Sequence, residues 1–441
     1  MSNEANSGTG PNNPAPPGGF APASDLEPPK KWKVVGPGLV VAATGVGAAD
    51  MVATLAAGSR YGYGLLWAVV VGVILKVVLV EGTARYSITT GNTILEGWRK
   101  LGRWPLWYFG PYIVIWGFVY GASAMSSTAL PLAALFPAVP LWVFAIGTAL
   151  LGFALVWMNR YAVFEKITAI LVGIMFFTIV GLAIIAVPNI PEMFTGFVPL
   201  LPEGGLLYTL ALAGGVGGTI TLAAYGYWLR EKGWYKPKFM RVMRLDNTMA
   251  YVMTGIFVIA MMIVGAEVVR TAGVAVSSGD QGLLDLTGVL EVEYGVVIAK
   301  VFLIGFFAAA FSSMIGVWNG VSLMFADFWA NFRGKGSDHK DAKAHGKYFR
   351  FYLIWLTFPP MLLLLLGKPI GLVLAYGVMG SLFMPFLAIT LLPLLNGTRW
   401  GIPAEWRNRW YTNTALVITA ALFIWLGLYQ LITKVSEAFA G

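Results

Sequence analysis

One carboxylate stands where an apolar segment loses its helical pattern. Asp50 closes the stretch Ala43-Thr44-Gly45-Val46-Gly47-Ala48-Ala49-Asp50, and a carboxylate at bilayer depth is costly unless a cation or a basic side chain pairs with it. A second stretch, Ala213-Gly214-Gly215-Val216-Gly217-Gly218-Thr219-Ile220-Thr221, interrupts a later apolar segment. Glycine is a poor helix former, and backbone freed from a helix inside lipid must find other partners. Freed carbonyls, a threonine hydroxyl and one carboxylate together make a hard-oxygen set suited to a cation. The candidate ligands are Asp50, Gly47, Thr44, Gly45, Thr221, Gly217 and Gly218. Glycine clusters also serve plain close packing of helices. Breaks at corresponding places of two halves, however, point to the midplane binding site of a secondary transporter.

A second group of charges lies in the next apolar segment. Glu81 and Arg85 are spaced i,i+4 and share a helix face; a structural salt bridge is the first reading, charge compensation or coupling the second. Lys76 falls near mid-membrane. It is placed either to neutralise Asp50 or Glu81, or to serve as a built-in cation, and desolvation would let it carry protons. The histidines His339 and His345 sit among Lys335, Lys340, Lys343 and Lys347, a solvated charge run rather than a metal site.

The elements that must hold these residues follow from composition. Of 441 residues 58% are hydrophobic and 12% charged, against about 25% charged in soluble domains, so the chain reads as an all-α, polytopic membrane protein. Eleven spans are expected, at about 36–58, 63–86, 106–130, 139–158, 164–187, 205–229, 246–268, 296–326, 350–367, 369–395 and 412–434. Basic residues alternate between loops. Lys30, Lys31 and Lys33, then Arg99, Lys100 and Arg103, Arg160 and Lys166, and segments 230–244, 333–350 and 399–409 fall on one side. Loops 131–139, 188–204 and 269–295 are neutral or acidic. The positive-inside rule then puts the N-terminus in the cytoplasm and the C-terminus outside a bacterial inner (cytoplasmic) membrane.

Spans 1–5 (34–190) and 6–10 (200–396) form two five-helix halves, a 5+5 inverted repeat because five is odd. Span 11 (410–435) is an appendage, and residues 1–33 read as a disordered cytoplasmic tail with no secretory signal. The net charge of +9 is explained by topology, so no nucleic-acid partner is expected. With no cysteine, disulfides and thiolate metal centres are excluded. No phosphate loop, catalytic triad or zinc spacing appears, so neither an enzyme activity nor a resident cofactor is expected. The expected partners are the transported cation and the lipid bilayer, and nothing in the sequence specifies an oligomeric state.

Certain motifs are familiar as a group. Gly36-Pro37-Gly38-Leu39, Ala57-Gly58, Tyr61-Gly62-Tyr63-Gly64-Leu65-Leu66-Trp67, Ala84-Arg85, Thr90-Gly91, Ala308-Ala309-Ala310-Phe311-Ser312-Ser313 and Pro385-Phe386 resemble the Nramp (natural resistance-associated macrophage protein) divalent metal transporters over about residues 34–434. The resemblance implies a LeuT-type fold and divalent cation transport. The ligands depart from the family pattern. Asp-Pro-Gly-Asn is replaced by Gly47-Ala48-Ala49-Asp50, Met-Pro-His by Thr221-Leu222-Ala223, and the region of the family's span 10 glutamine reads Val378-Met379-Gly380-Ser381-Leu382-Phe383. No Asp or Glu occurs between Glu96 and Glu165, so the family's acidic proton route in span 3 is missing.

Loss of the thioether removes selection for soft transition metals. The remaining oxygens suit a hard ion that keeps several waters, and the Nramp-related magnesium transporters depart in a similar direction. The expectation is therefore transport of a divalent cation, Mg²⁺ or Mn²⁺, by alternating access, either uncoupled or coupled through Lys76 and Glu81. The alternatives are a carrier of a small organic solute such as an amino acid or carboxylate on the same fold, and a non-transporting receptor.

Overall fold

The computed structural model describes residues 27–28, 36–158, 161–215, 217–273, 281–344, 346–364 and 369–440. The expected N-terminal tail thus lies almost wholly outside the described residues. So do Val216, His345 and the side chains of Val378, Gly380 and Ser381.

Sixteen α-helices follow one another among the described residues, and no strand is present there. Two early apolar segments are broken, one into α1 (Pro37–Thr44) and α2 (Ala48–Tyr61), the other into α9 (Leu206–Gly215) and α10 (Thr221–Glu231). Between them run α3 (Leu66–Thr90), α4 (Ile94–Lys100), α5 (Trp104–Leu135), α6 (Leu141–Trp157), α7 (Tyr161–Ile185) and α8 (Ile190–Thr195). The second half continues with α11 (Met240–Val264, closing in a π-turn at Gly265–Val269), α12 (Gln281–Tyr294), α13 (Val296–Phe332), α14 (Lys347–Leu364), α15 (Pro369–Asn396) and α16 (Trp410–Ala440).

Each expected span coincides with a helix or a broken pair. Six continuous helices among the described residues are long and apolar enough to cross a bilayer, α6 and 382–396 being shorter apolar helices. The broken pairs escape any such tally because neither half is long enough alone. At 1.5 Å per residue, the 37 residues of α13 reach about 55 Å, well past a ~30 Å hydrocarbon layer.

The sequence reading takes 269–295 as loop, and here the structure differs. Residues 281–294 form α12, whose Leu283, Leu286 and Leu290 are buried; their i, i+3, i+7 spacing is an amphipathic helix stripe. The short α4 also falls between expected spans. Its start is fixed by a capping box in which Thr93 accepts from Glu96 N (3.2 Å) and Glu96 accepts from Thr93 N (2.8 Å).

Two packed cores flank the breaks. One gathers Trp98, Trp228, Trp318 and Tyr352 around α5, α10, α13 and α15, and the other joins α2, the end of α11 and α12 through Leu55, Met261 and Leu290. Burial on both sides holds the unwound segments in place, since their few backbone bonds alone would not.

Candidate ion-binding site

The first break spans Gly45, Val46 and Gly47, after which α2 begins afresh. Asp50 is the third residue of α2, and its Oδ2 accepts the Gly47 N–H at 3.0 Å; glycine has no side chain to return the bond, so this is one half of a capping box. The carboxylate thus has a plain structural duty, satisfying one of the four free amides of a helix start. No hydrogen bond from another described residue reaches its second oxygen. Gly47 and Asp50 are half-buried, whereas Thr44, Gly45, Gly217, Gly218 and Thr221 are buried. The unwound region therefore opens on the Asp50 side.

Two hydroxyls stand beside that opening. A Cβ added to Gly47 would lie 3.4 Å from Ser313 Oγ of α13 and 3.6 Å from Asp50 Oδ2. Tyr120 of α5 is hydrogen-bonded to Ser313 and lies within electrostatic range of Asp50. Ser313 Oγ also donates weakly to the Thr44 carbonyl, at 3.5 Å.

The second break contains Gly217 (φ 98°) and Gly218 (φ 85°), conformations that L side chains resist. It meets the first break directly, the Gly217 N–H donating to the Gly45 carbonyl at 2.8 Å. Space there admits no side chain, because a Cβ on Gly45 would come within 2.6 Å of the Gly217 carbonyl carbon. The Thr44 and Thr221 hydroxyls are hydrogen-bonded at 3.0 Å, and Thr44 also reaches the Val41 carbonyl at 2.8 Å. Thr44, Gly45, Gly217, Gly218 and Thr221 are therefore in mutual contact, with Gly47 and Asp50 at the start of the adjoining helix. Several of their oxygens, however, already have protein partners.

Lys76 accounts for one of them. Its side chain is wholly buried, and Nζ donates to the Gly218 carbonyl at 2.5 Å, with Met384 Sδ at 3.5 Å and the Phe423 ring centroid at 5.7 Å. An ammonium just beyond the C-terminal end of α9 is favoured by that helix's dipole. Tyr251 of α11 donates to the Gly217 carbonyl at 3.1 Å. The carbonyls of Gly45, Gly217 and Gly218 thus each accept one hydrogen bond, from an amide, a phenol and an ammonium, which leaves each a second lone pair. Lys76 forms no ion pair with Asp50 or Glu81 among the described residues.

Glu81 and Arg85 belong to a different assembly. Arg85 Nε meets Glu81 Oε2 at 3.1 Å, and Arg244 of α11 meets Glu81 Oε1 at 2.9 Å. Arg85 also donates to the Trp406 carbonyl at 2.7 Å and to Asn408 Oδ1 at 2.6 Å. This clamp ties α3 to α11 and to the loop before α16. Among the described residues no ion pair or hydrogen bond joins it to the Asp50 opening.

Among the described residues no group of three His, Cys, Asp or Glu gathers to hold a metal. The oxygens around this opening are one carboxylate and the hydroxyls near it. Sequence reasoning singled out neither Tyr120, Tyr251 nor Met384, and named Ser313 only within a motif. Nothing in their own segments distinguishes them, for each is set by contacts between helices far apart in the chain.

A profile of the family described as natural resistance-associated macrophage protein-like matches residues 38–433. The chain belongs to the Nramp family. It is a multi-pass membrane protein. Among curated Nramp relatives, the divalent metal cation transporter MntH of Staphylococcus aureus (strain JH9) is 30% identical over 197 residues, 42% of this chain and 42% of the relative. MntH of Staphylococcus saprophyticus is 29% identical over 202 residues, 43% of this chain and 44% of the relative. The chain thus matches less than half the length of these relatives. Among solved structures, the Eremococcus coleocola manganese transporter superposes with a TM-score of 0.78 at 16% identity, over 94% of this chain and 91% of that one. MhsT in complex with L-phenylalanine superposes at 0.55 with 14% identity, over 90% and 97%. At such identities the likeness carries the fold alone, and that fold is the all-helical, LeuT-like fold of Nramp transporters.

Proposed function

We propose that this Nramp-family chain is a secondary transporter that moves a divalent metal cation, Mg²⁺ or Mn²⁺, by alternating access. The ion sits against Asp50, at the opening between the two breaks. The observation that carries this reading is the junction itself: two unwound segments bonded to each other through Gly217 N and Gly45 O, with one half-buried carboxylate at its open edge. Its relatives support the ion class, since the MntH relatives are divalent metal cation transporters. The family thereby favours a metal over an organic solute.

Electrostatics favours the Asp50 side of the junction for the ion. Two unit charges 4 Å apart repel by roughly 4 kcal/mol at an effective dielectric of 20. A divalent ion placed against the Gly218 carbonyl beside Lys76 would therefore meet about twice that. On the Asp50 side the attraction to the carboxylate works in its favour, and Ser313 and Tyr120 add hard oxygens. This oxygen-only set suits an ion that retains water and gives no preference to soft metals.

Lys76 takes the role of a resident cation for the second break, in place of one taken from solution. Glu81 and Arg85 act as a structural clamp. The two repeats, 34–190 and 200–396, rock against each other around the junction, with span 11 outside the repeat. The basic loops, the N-terminus among them, face the cytoplasm, and the C-terminus lies outside. The test is uptake by purified protein in liposomes. Mn²⁺ or Mg²⁺ should accumulate, Asp50→Ala should abolish the signal, and undiminished uptake by that variant would remove the site assignment.

A further inference from the structure

A groove of about 870 Å³ runs along the outside of the bundle between α5, α13 and α14, away from the junction of the two breaks. Its body is apolar and open. Trp107, Ile115, Phe332 and Phe351 are each at least half exposed, and Gly110 admits the Phe328 ring as the floor, since a Cβ there would lie 2.7 Å from it. Two polar tips along the wall already have partners. Tyr352 OH donates to the Ile113 carbonyl at 2.5 Å, and Trp355 Nε1 to the Val114 carbonyl at 3.1 Å. The lining of this part is mainly aromatic and aliphatic.

One end of the groove differs. Arg333, Lys335 and Lys347 line it together with a single carboxylate, Asp341, leaving a surplus of two positive charges. Asp341 is engaged by Lys335 at 3.5 Å and by His339 at 3.6 Å. A hydrogen bond to Tyr348, with Asp341 alongside, raises the Lys335 pKa above its ordinary value, so its charge persists across neutral pH. The Arg333 guanidinium lies over the Trp329 ring, 5.4 Å from its centroid, and Lys347 is exposed at the start of α14. A dry channel with a cationic rim at one end has the polarity of an amphiphile bearing an anionic head.

We propose that this groove is a specific site for one anionic glycerophospholipid, its phosphate on Arg333, Lys335 and Lys347 and an acyl chain along Trp107, Ile115 and Phe351. Annular lipid would cover the same helices without regard to headgroup charge. A bound anionic lipid instead gains from each basic side chain at the rim, and the groove's length fixes where its chain lies. A soluble phosphate lacks the acyl chain that this channel fits.

The experiment uses the full chain, delipidated in detergent, and reads lipid retention by native mass spectrometry together with thermal stability. Phosphatidylglycerol should be retained roughly tenfold more tightly than phosphatidylcholine and should raise the unfolding midpoint, while glycerol 3-phosphate should do neither. The surface variant Arg333→Gln/Lys335→Gln/Lys347→Gln should lose the preference and keep divalent uptake. Val114→Trp, which fills the groove and leaves the rim intact, should lose retention of both lipids at this site. If the triple variant folds poorly, Lys347→Gln alone should still lower the preference severalfold, because that side chain is exposed. Equal retention of the two lipids, an unchanged preference in the rim variants, or stabilisation by glycerol 3-phosphate would each overturn the proposal.

Discussion

Asp50 has one structural duty and one proposed duty, and they are separable. As the third residue of α2 it accepts the Gly47 amide, and in the proposed function its carboxylate attracts the ion. Asparagine keeps a carbonyl for the first duty and lacks the charge for the second. Asp50→Asn should therefore fold with stability within about 1 kcal/mol of the parent and bind no divalent ion, checked by thermal unfolding beside calorimetric titration. A variant that binds Mn²⁺ normally would leave the carboxylate with its cap alone. Lys76 tests the other side of the junction. Lys76→Met removes a buried charge and leaves the Gly218 carbonyl without its donor, which should cost about 1–3 kcal/mol of stability. It also removes a repulsive neighbour of the ion, so the variant's divalent affinity should rise roughly tenfold, equivalent to about 1.4 kcal/mol. Loss of uptake with unchanged affinity would instead give Lys76 a part in coupling.

At the scale of elements, the breaks are what make the site. Gly45→Ala would drive a Cβ to 2.6 Å from Gly217, and Gly217→Ala would force alanine to φ 98°, each costing of order 1–3 kcal/mol and parting the two unwound segments. Both variants should lose uptake. Gly91→Ala is the control, since Gly91 also has a positive φ (69°) but nothing lies within 4 Å of an added Cβ. That variant should be destabilised by about 1 kcal/mol and transport normally in the liposome assay. The breaks were legible in the sequence because helix propensity is local, and two glycine clusters in apolar segments leave few other outcomes. The partner of Lys76 was not legible. Its bond to Gly218 joins residues 142 positions apart, and no pattern along α3 distinguishes that carbonyl from Asp50 or Glu81. Likewise α12 is hard to read from sequence, because acidic residues crowd a buried stripe of only three leucines.

For the whole molecule, the proposed transport cycle requires opposed halves around a fixed junction in a defined orientation. The absence of native cysteine makes orientation directly measurable with single introduced thiols. Asp338→Cys, in the basic loop with its parent side chain 91% exposed, should react with impermeant maleimide only from the cytoplasmic face. Val292→Cys, at an 82% exposed position on α12, should react only from outside. Labelling of both from one face would reverse or break the topology. In the proposed function a divalent cation crosses by way of the Asp50 carboxylate at the meeting of the two breaks. Initial-rate Mn²⁺ and Mg²⁺ uptake into liposomes holding equal amounts of parent protein and Asp50→Asn measures this directly. The parent should take up at least one of these ions and the variant should show only background. Equal rates in the two preparations would rule the carboxylate out of the path.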